Sequence, residues 1–247
     1  MSSNTVYLIT GTNRGIGKHI IASLVKRPCT TVIATVRDPK FVFTGITPHA
    51  TSKLVTFALD DEVLEINYAS LPSRVLEIVD HLDIVIANAG YSSGFKFIKE
   101  TTADEIATDF QVNTIGVVKL FFATKELLTK SKAGDAGKKF VIASSNLASI
   151  ADRPNIPSAS YSISKTAVNQ FAKMASIEFK HEGLKVGLLH PGWVKTSMGQ
   201  ALADVLNQKE PPLTIEESAQ RVIKITDELN IETSGTFFNS DGSVIAW

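Results

Sequence analysis

Cysteine is almost absent from this chain: Cys29 is the only one in 247 residues. A single thiol cannot form an internal disulfide or supply a cysteine-based metal cluster, so no metal site is expected. Long apolar runs are missing as well. No stretch approaches the 18 or more residues of a membrane-crossing helix. The opening MSSNTVYLIT has no basic segment followed by a long apolar core, so it does not read as a secretion signal. Charge of one sign is missing too, since 25 Lys+Arg balance 25 Asp+Glu. That balance argues against a nucleic-acid binder that relies on bulk charge. Repeats, low-complexity tracts and linkers are not seen. What remains is a soluble, cytoplasmic protein with no membrane or nucleic-acid partner.

Hydrophobic residues make up 44% and charged residues 20%, enough for a full core. Five short apolar runs recur: VYLIT (6–10), TVIATV (31–36), DIVIANA (83–89), KFVIAS (139–144) and KVGLLH (185–190). They are continuous rather than alternating and rich in Val and Ile, as in strands buried on both faces of a parallel sheet. VLEIN (63–67) is a weaker sixth candidate and GTFFN (235–239) a seventh. Helical patterns lie between them. IGKHIIASLVKR (16–27) follows a glycine-rich turn, and 102–130 begins with the N-cap-like TTADE. Residues 160–183 form another, closed by Gly183. This alternation predicts an α/β fold in one domain over 1–247. Its core is a doubly wound parallel sheet of about seven strands with helices on both faces.

The first strand runs into TGTNRGIG, Thr10 to Gly17, and then a helix. Gly11, Gly15 and Gly17, with Asn13, Arg14 and Ile16 between them, let the backbone turn tightly against a pyrophosphate, whose charge the helix N-terminus favours. The spacing is G-x-x-x-G-x-G, in the strand–turn–helix context that a Rossmann-type dinucleotide site requires. The second strand ends at Val36-Arg37-Asp38. An acid at that end would bond the ribose 2′-hydroxyl of NAD, whereas a basic residue holds the 2′-phosphate of NADP. With Val36 in the selective place, Arg37 and Arg14 converge on NADP(H). A shift of one residue would put Asp38 there instead.

Tyr161 and Lys165, in YSISK, stand four apart in a helical stretch. Such residues are neighbours, with Cβ atoms about 5–6 Å apart. An ammonium at that distance would pull the phenol below its ordinary pKa of about 10, making it a general acid near neutral pH. The same spacing also occurs on solvated helix faces, so the rest of the chain must decide.

TGxxxGxG (10–17), ANAG (87–90), the Asn of QVNTIG (Asn113), ASS (143–145), YSISK (161–165) and PGWVKT (191–196) occur in one order. In that order the chain resembles the short-chain dehydrogenase/reductase family over nearly its whole length. LLHPGWVKTSMG and the ending SGTFFNSDGSVIAW resemble the branch with C-factor-like proteins, sniffer-type carbonyl reductases and fungal ketoreductases of the norsolorinic-acid type. The resemblance implies that Tyr161 protonates the substrate carbonyl and that Lys165 lowers its pKa and holds the nicotinamide ribose. Ser145 would hydrogen-bond the carbonyl oxygen, leaving Ser144 as a structural hydroxyl at the strand end. Asn113 would hold a water that passes protons to Lys165. Asn88, Ala89 and Gly90 would line the cofactor, and Pro191, Gly192, Val194 and Thr196 would cover its nicotinamide. His190 reads as structural. The adenine contact falls on Asn67 if VLEI is the third strand, or on Asp60 if TFALD is.

The function implied is an NADPH-dependent oxidoreductase that reduces a ketone or aldehyde to an alcohol. An NADP(H)-binding regulatory protein with little turnover is the alternative. A nucleotide-sugar epimerase fits less well, since those relatives carry TGxxGxxG and a longer chain. The carbonyl substrate would sit between 91–97, the loop 146–160 and a small lobe near 197–214. Phe95, Phe97, Ile150, Trp193 and Met198 would form its apolar wall. Relatives of this architecture commonly assemble, so a homodimer or homotetramer is expected. Trp247 could pack in such an interface or in its own core.

Overall fold

The Val- and Ile-rich runs form the centre of one sheet in the computed structural model, which describes residues 4–59, 61–62, 65–66 and 68–247. The chain begins with β1 (Thr5–Ile9), α1 (Gly15–Leu24), β2 (Thr30–Val36) and β3 (Lys53–Ala58). A short antiparallel pair, β4 (Asp61–Glu62) and β5 (Glu65–Ile66), precedes α2 (Leu71–Leu76) and β6 (Ile84–Ala87). Next come α3 (Ala103–Phe110), α4 (Gly116–Thr129), β7 (Lys139–Ala143), α5 (Ala159–Glu178) and β8 (Lys185–Leu189). The chain closes with α6 (Ser197–Val205), α7 (Ile215–Glu228) and β9 (Phe237–Phe238). Seven strands form a single parallel sheet in the order β3-β2-β1-β6-β7-β8-β9. The strand order reverses between β1 and β6, where an open α/β sheet leaves a crevice beyond its strand ends.

Alternation along each strand splits the core into two layers. Val6 and Leu8 face one layer, with Leu71 and Val75 of α2, Leu120 and Phe121 of α4, and Val168 and Ala172 of α5. Tyr7 and Ile9 face the other, with Ile20, Ile21 and Leu24 of α1 and Val222 and Ile223 of α7. Phe121 centres the first layer, its ring 5.1 Å from that of Phe140 and 5.4 Å from that of Phe171. Burial of a side chain of this kind contributes about 1.5–3 kcal/mol.

The third strand is not VLEI. Lys53–Ala58 fills that place, pairing with β2 from Thr31↔Lys53 to Val36↔Ala58. KLVTFA is an edge strand covered only in part, with a polar residue at each exposed point, so it lacks the continuous apolar run of a central strand. Glu65–Ile66 pairs only with Asp61–Glu62. The ground for preferring Asn67 as the adenine contact therefore falls; Asn67 and Asp60 themselves lie outside the described residues.

The helix expected over 102–130 forms as α3 and α4. Thr102 accepts from the Glu105 backbone N–H at 3.2 Å, while the Glu105 carboxylate accepts from the Thr102 N–H at 2.9 Å, a capping box. Between the two helices, Gln111–Ile115 widens into a π turn. Gly183 ends the α5 segment in a left-handed conformation, φ 73°. Among the described residues, no helix is long and apolar enough to cross a membrane.

Candidate active site

The glycine turn packs against the end of β6. A Cβ on Gly17 would lie 2.3 Å from the Gly11 carbonyl oxygen, so only glycine lets α1 start this close to the turn. Asn88 donates both amide hydrogens inward, to the carbonyls of Thr10 at 3.0 Å and Gly11 at 3.1 Å. Its side chain thus holds the turn in shape, while Ala89 and Gly90 continue along the crevice. Thr12 ties the turn to β2 by donating its hydroxyl to the Thr35 carbonyl at 2.8 Å. At the N-terminus of α1 no acidic residue or side-chain cap covers the first N–H groups. Gly15 has φ 59°, and a Cβ there would meet only Thr196 Cγ2, at 3.6 Å. A free helix N-terminus faced by glycine fits an anionic dinucleotide phosphate. Asn13 lies half-buried in the same turn, and Arg14 and Arg37 are both exposed on the loops joined by Thr12. Asp38 is turned aside, accepting from the Lys40 backbone N–H at 2.8 Å.

Ser145, Tyr161 and Lys165 converge where β7 ends and α5 begins. Tyr161 and Ser145 line the same cavity, and the serine hydroxyl is near enough to favour the phenolate. Ser144 points the other way, donating to Asn169 Oδ1 at 2.5 Å deep in the protein. Lys165 is buried and donates to the Ala143 carbonyl at 2.8 Å. Its Nζ lies 5.8 Å from the Tyr161 ring centre.

The expected effect of Lys165 on Tyr161 is not seen. Burial, reinforced by the Asp109 carboxylate, pushes the phenol up to about 12, with Ser145 opposing. Burial likewise draws Lys165 down to about 8. Desolvation is the largest influence on each group, and neither shift carries a contribution from the other.

Asn113 sits in the π turn, fully buried. Its Oδ1 accepts from the Tyr91 N–H at 2.9 Å, and its Nδ2 donates to the Tyr91 carbonyl at 2.7 Å and to Ser164 Oγ at 3.0 Å. A Cβ on Gly90 would lie 3.6 Å from both Asn113 Oδ1 and Lys165 Nζ. The wide turn swings Asn113 toward the strand ends, a feature that periodicity alone does not reveal.

Ser145 and Tyr161 open onto a cavity of about 180 Å³. Ile16, Ser145, Tyr161, Pro191, Gly192, Val194 and Thr196 all line it, as do Phe95, Trp193 and Met198. Leu147, Ile156, Leu202 and Leu206 join them from the loop after β7 and from α6. Thr196 caps α6, accepting from the Gly199 N–H at 3.1 Å. Phe97 and Ile150 do not belong to the wall: Phe97 borders a separate surface groove, and Ile150 is 74% exposed. His190, which reads as structural on sequence, does line the cavity; its Nδ1 is buried without a partner among the described residues. Burial keeps its ring neutral, with the pKa down at about 4. Trp247 packs on Phe237 of its own chain, ring centres 5.8 Å apart.

The family model described as short chain dehydrogenase matches residues 5–207. Norsolorinic acid ketoreductase nor1 of Dothistroma septosporum is 32% identical, over 100% of this chain and 94% of its own. The NADPH-bound carbonyl reductase from chicken fatty liver superposes with a TM-score of 0.81 at 27% identity, covering 100% of both chains. The carbonyl reductase Sniffer of D. melanogaster gives 0.81 at 25%, over 99% of this chain and 100% of its own. The match runs from β1 past the glycine turn, Tyr161 and Thr196 into α6, and on that ground the chain belongs to the short-chain dehydrogenase family.

Proposed function

We propose that this protein is an NADPH-dependent carbonyl reductase that converts a ketone or aldehyde to an alcohol. One observation carries the reading. The Tyr161 phenol and the Ser145 hydroxyl face one apolar cavity at the sheet's strand ends, with a buried lysine one helical turn further on. NADPH, when bound, supplies the hydride. Gly15 and the N-terminus of α1 would hold its diphosphate, Arg14 and Arg37 would meet the 2′-phosphate, and Pro191, Gly192, Val194 and Thr196 would cover the nicotinamide.

The chain's own groups do the rest. Ser145 donates to the carbonyl oxygen, and Tyr161 gives that oxygen its proton. A phenol held at about 12 stays protonated throughout the physiological range, so the acid is always loaded for reduction. Asn113 fixes Tyr91, and with it the segment that leads to Phe95. The Phe95 ring meets that of Tyr161 edge-on with centres 6.4 Å apart, so the apolar wall reaches the proton donor. The cavity's Phe, Trp, Met and Leu side chains favour an apolar carbonyl compound. The lobe at 197–214 supplies Met198, Leu202 and Leu206 to that wall.

A homodimer or homotetramer is the assembly we favour. Its support is the exposed apolar surface of α4 and α5, where Phe122, Met174 and Ile177 are 61%, 57% and 69% accessible.

The test is NADPH oxidation against diketones, quinones, aromatic aldehydes and a cyclic ketone. Turnover with at least one of these supports the reductase. Tight NADPH binding with no turnover on any of them would move the reading to a cofactor-binding regulatory protein.

A further inference from the structure

A buried acid stands beside the proposed proton donor and has no part in the roles assigned so far. Asp109 lies on α3, one turn before Asn113, and is fully buried. Its Oδ1 accepts from Ser93 twice, from the backbone N–H at 2.8 Å and from the hydroxyl at 2.7 Å. Its Oδ2 is buried too and receives no hydrogen bond from any described residue. Helix α5 packs along α3 and brings up Lys165. That ammonium has three hydrogens to donate, and its bond within the described protein is to Ala143. Asn113 lies between, its Oδ1 beside Gly90 just as Lys165 Nζ is. A buried carboxylate with an unused oxygen and a buried ammonium with unused hydrogens thus border one segment, Gly90–Ser93. Either charge alone would be costly in such a place.

We propose that Asp109 is the counter-charge of Lys165, a positioning residue that keeps the ammonium charged while it tethers the Ser93 segment. The assignment rests on the reductase reading for its consequence in catalysis, though not for its geometry. Electrostatics agree, since the Asp109 carboxylate raises Lys165 against the downward pull of burial and also raises Tyr161. The other elements around the ammonium bring no competing charge among the described residues. β7 offers the Ala143 carbonyl and Ser145, and the segment after β6 offers Asn113-bound backbone, with Tyr91 half-exposed at the rim. His190, at the end of β8, is neutral. Glu105, one turn before Asp109, is paired with Lys96 at 2.5 Å on the rim.

The experiment reads the ammonium directly, by NMR titration of lysine-labelled full-length chain with no carbonyl substrate. In Asp109→Asn, the Lys165 midpoint should fall from its wild-type value by about one pH unit or more. Ser93→Ala loosens the tether but leaves the charge, so its midpoint should stay within a few tenths of wild type. An Asp109→Asn midpoint equal to wild type would overturn the proposal and leave Asp109 as a loop clamp. Should Asp109→Asn fail to fold, the carboxyl carbon of Asp109 in the wild type decides. Ionised throughout pH 6 to 9, it supports the counter-charge; protonated at pH 7, it ends it. In the reductase assay, the alkaline limb of kcat/KM should move with the Lys165 midpoint. A midpoint that shifts in a protein without turnover would count against the reductase reading and for the counter-charge.

Discussion

The two ends of the central sheet treat buried polar groups differently. At the N-terminal end, where β6, β7 and β8 begin, those groups find partners. Lys139 donates to the last carbonyls of α7, Thr226 at 2.9 Å and Asp227 at 2.8 Å, and Lys185 donates to Gly137 at 3.0 Å. Asp83 accepts from the Val6 N–H at 2.8 Å and from Ser131 at 2.5 Å. His81 is the partial exception: its Nε2 makes no hydrogen bond but lies 3.4 Å from Asp83 Oδ2. At the C-terminal end, Asp109 Oδ2, Asn169 Nδ2 and His190 Nδ1 are all buried without partners among the described residues. One end holds the strands in register. The other keeps polar groups poised and tolerates the cost, as sites that bind and react do.

The sharpest way to break this contrast is at Tyr161. Tyr161→Phe removes the proton donor and leaves the ring, so turnover should fall by about 10³-fold. NADPH affinity should change less than about twofold, measured by fluorescence titration. Equal losses of binding and turnover would mean that the phenol holds the cofactor and does not deliver the proton. Next in size is the pair Arg14→Ala with Arg37→Ala. Charge-assisted bonds of this kind contribute about 1.5–3 kcal/mol, so losing them should weaken NADPH binding roughly 10- to 100-fold. NADH binding should barely move. An unchanged ratio of the two dissociation constants would show that neither arginine reads the 2′-phosphate.

Two lysine substitutions compare the ends directly. Lys139→Met strands the carbonyls at the end of α7 and should cost roughly 1–3 kcal/mol in a urea titration, with kcat of the folded protein preserved. Lys165→Met strands the Ala143 carbonyl and leaves the buried Asp109 carboxylate without its counter-charge, so stability should fall as well, but here turnover disappears with it. Activity lost at Lys139, or kept at Lys165, would erase the distinction between a structural and a functional end.

The central strands are legible in the sequence because they are buried on both faces and so read as unbroken Val and Ile runs. The glycine turn is legible because close packing at Gly17 leaves no alternative residue. β3 is not, since this edge strand is covered only in part and its apolar residues are interrupted by the exposed Lys53 and Thr56. The π turn escapes because a single widened turn hardly disturbs a 3.6-residue pattern. Asp109 does leave a trace: a charged residue four before Asn113 falls on the same helix face. That face becomes significant only once the fold brings Ser93 and Lys165 against it. The direction in which the Tyr161 pKa moves is hidden for a related reason. Spacing reveals that a lysine is near, but only the fold reveals how deeply both groups are buried.

The effect at His190 vanishes at neutral pH and grows only in acid, and it tests whether the cleft's unpartnered groups carry a measurable cost. Its ring is held neutral in the fold, with a pKa of about 4 against an ordinary 6.5. Between those values the unfolded chain binds a proton that the folded chain refuses, so stability is complete above about pH 6.5 and declines as the pH falls toward 4. The loss should reach roughly 2–3 kcal/mol at the acid end, because each tenfold difference in proton affinity between the two states is about 1.4 kcal/mol. His190→Gln cannot take up that proton. The difference in urea stability between wild type and variant should therefore change across pH 6.5 to 4 and stay flat above pH 7. His81 offers the contrast at the other end, because carboxylates lie beside both of its ring nitrogens, Asp80 at 2.5 Å and Asp83 at 3.4 Å. A wild-type minus His190→Gln difference that is flat down to pH 4 would mean that the cleft accommodates an imidazolium. The C-terminal end would then be less hostile to charge than its unpartnered atoms indicate.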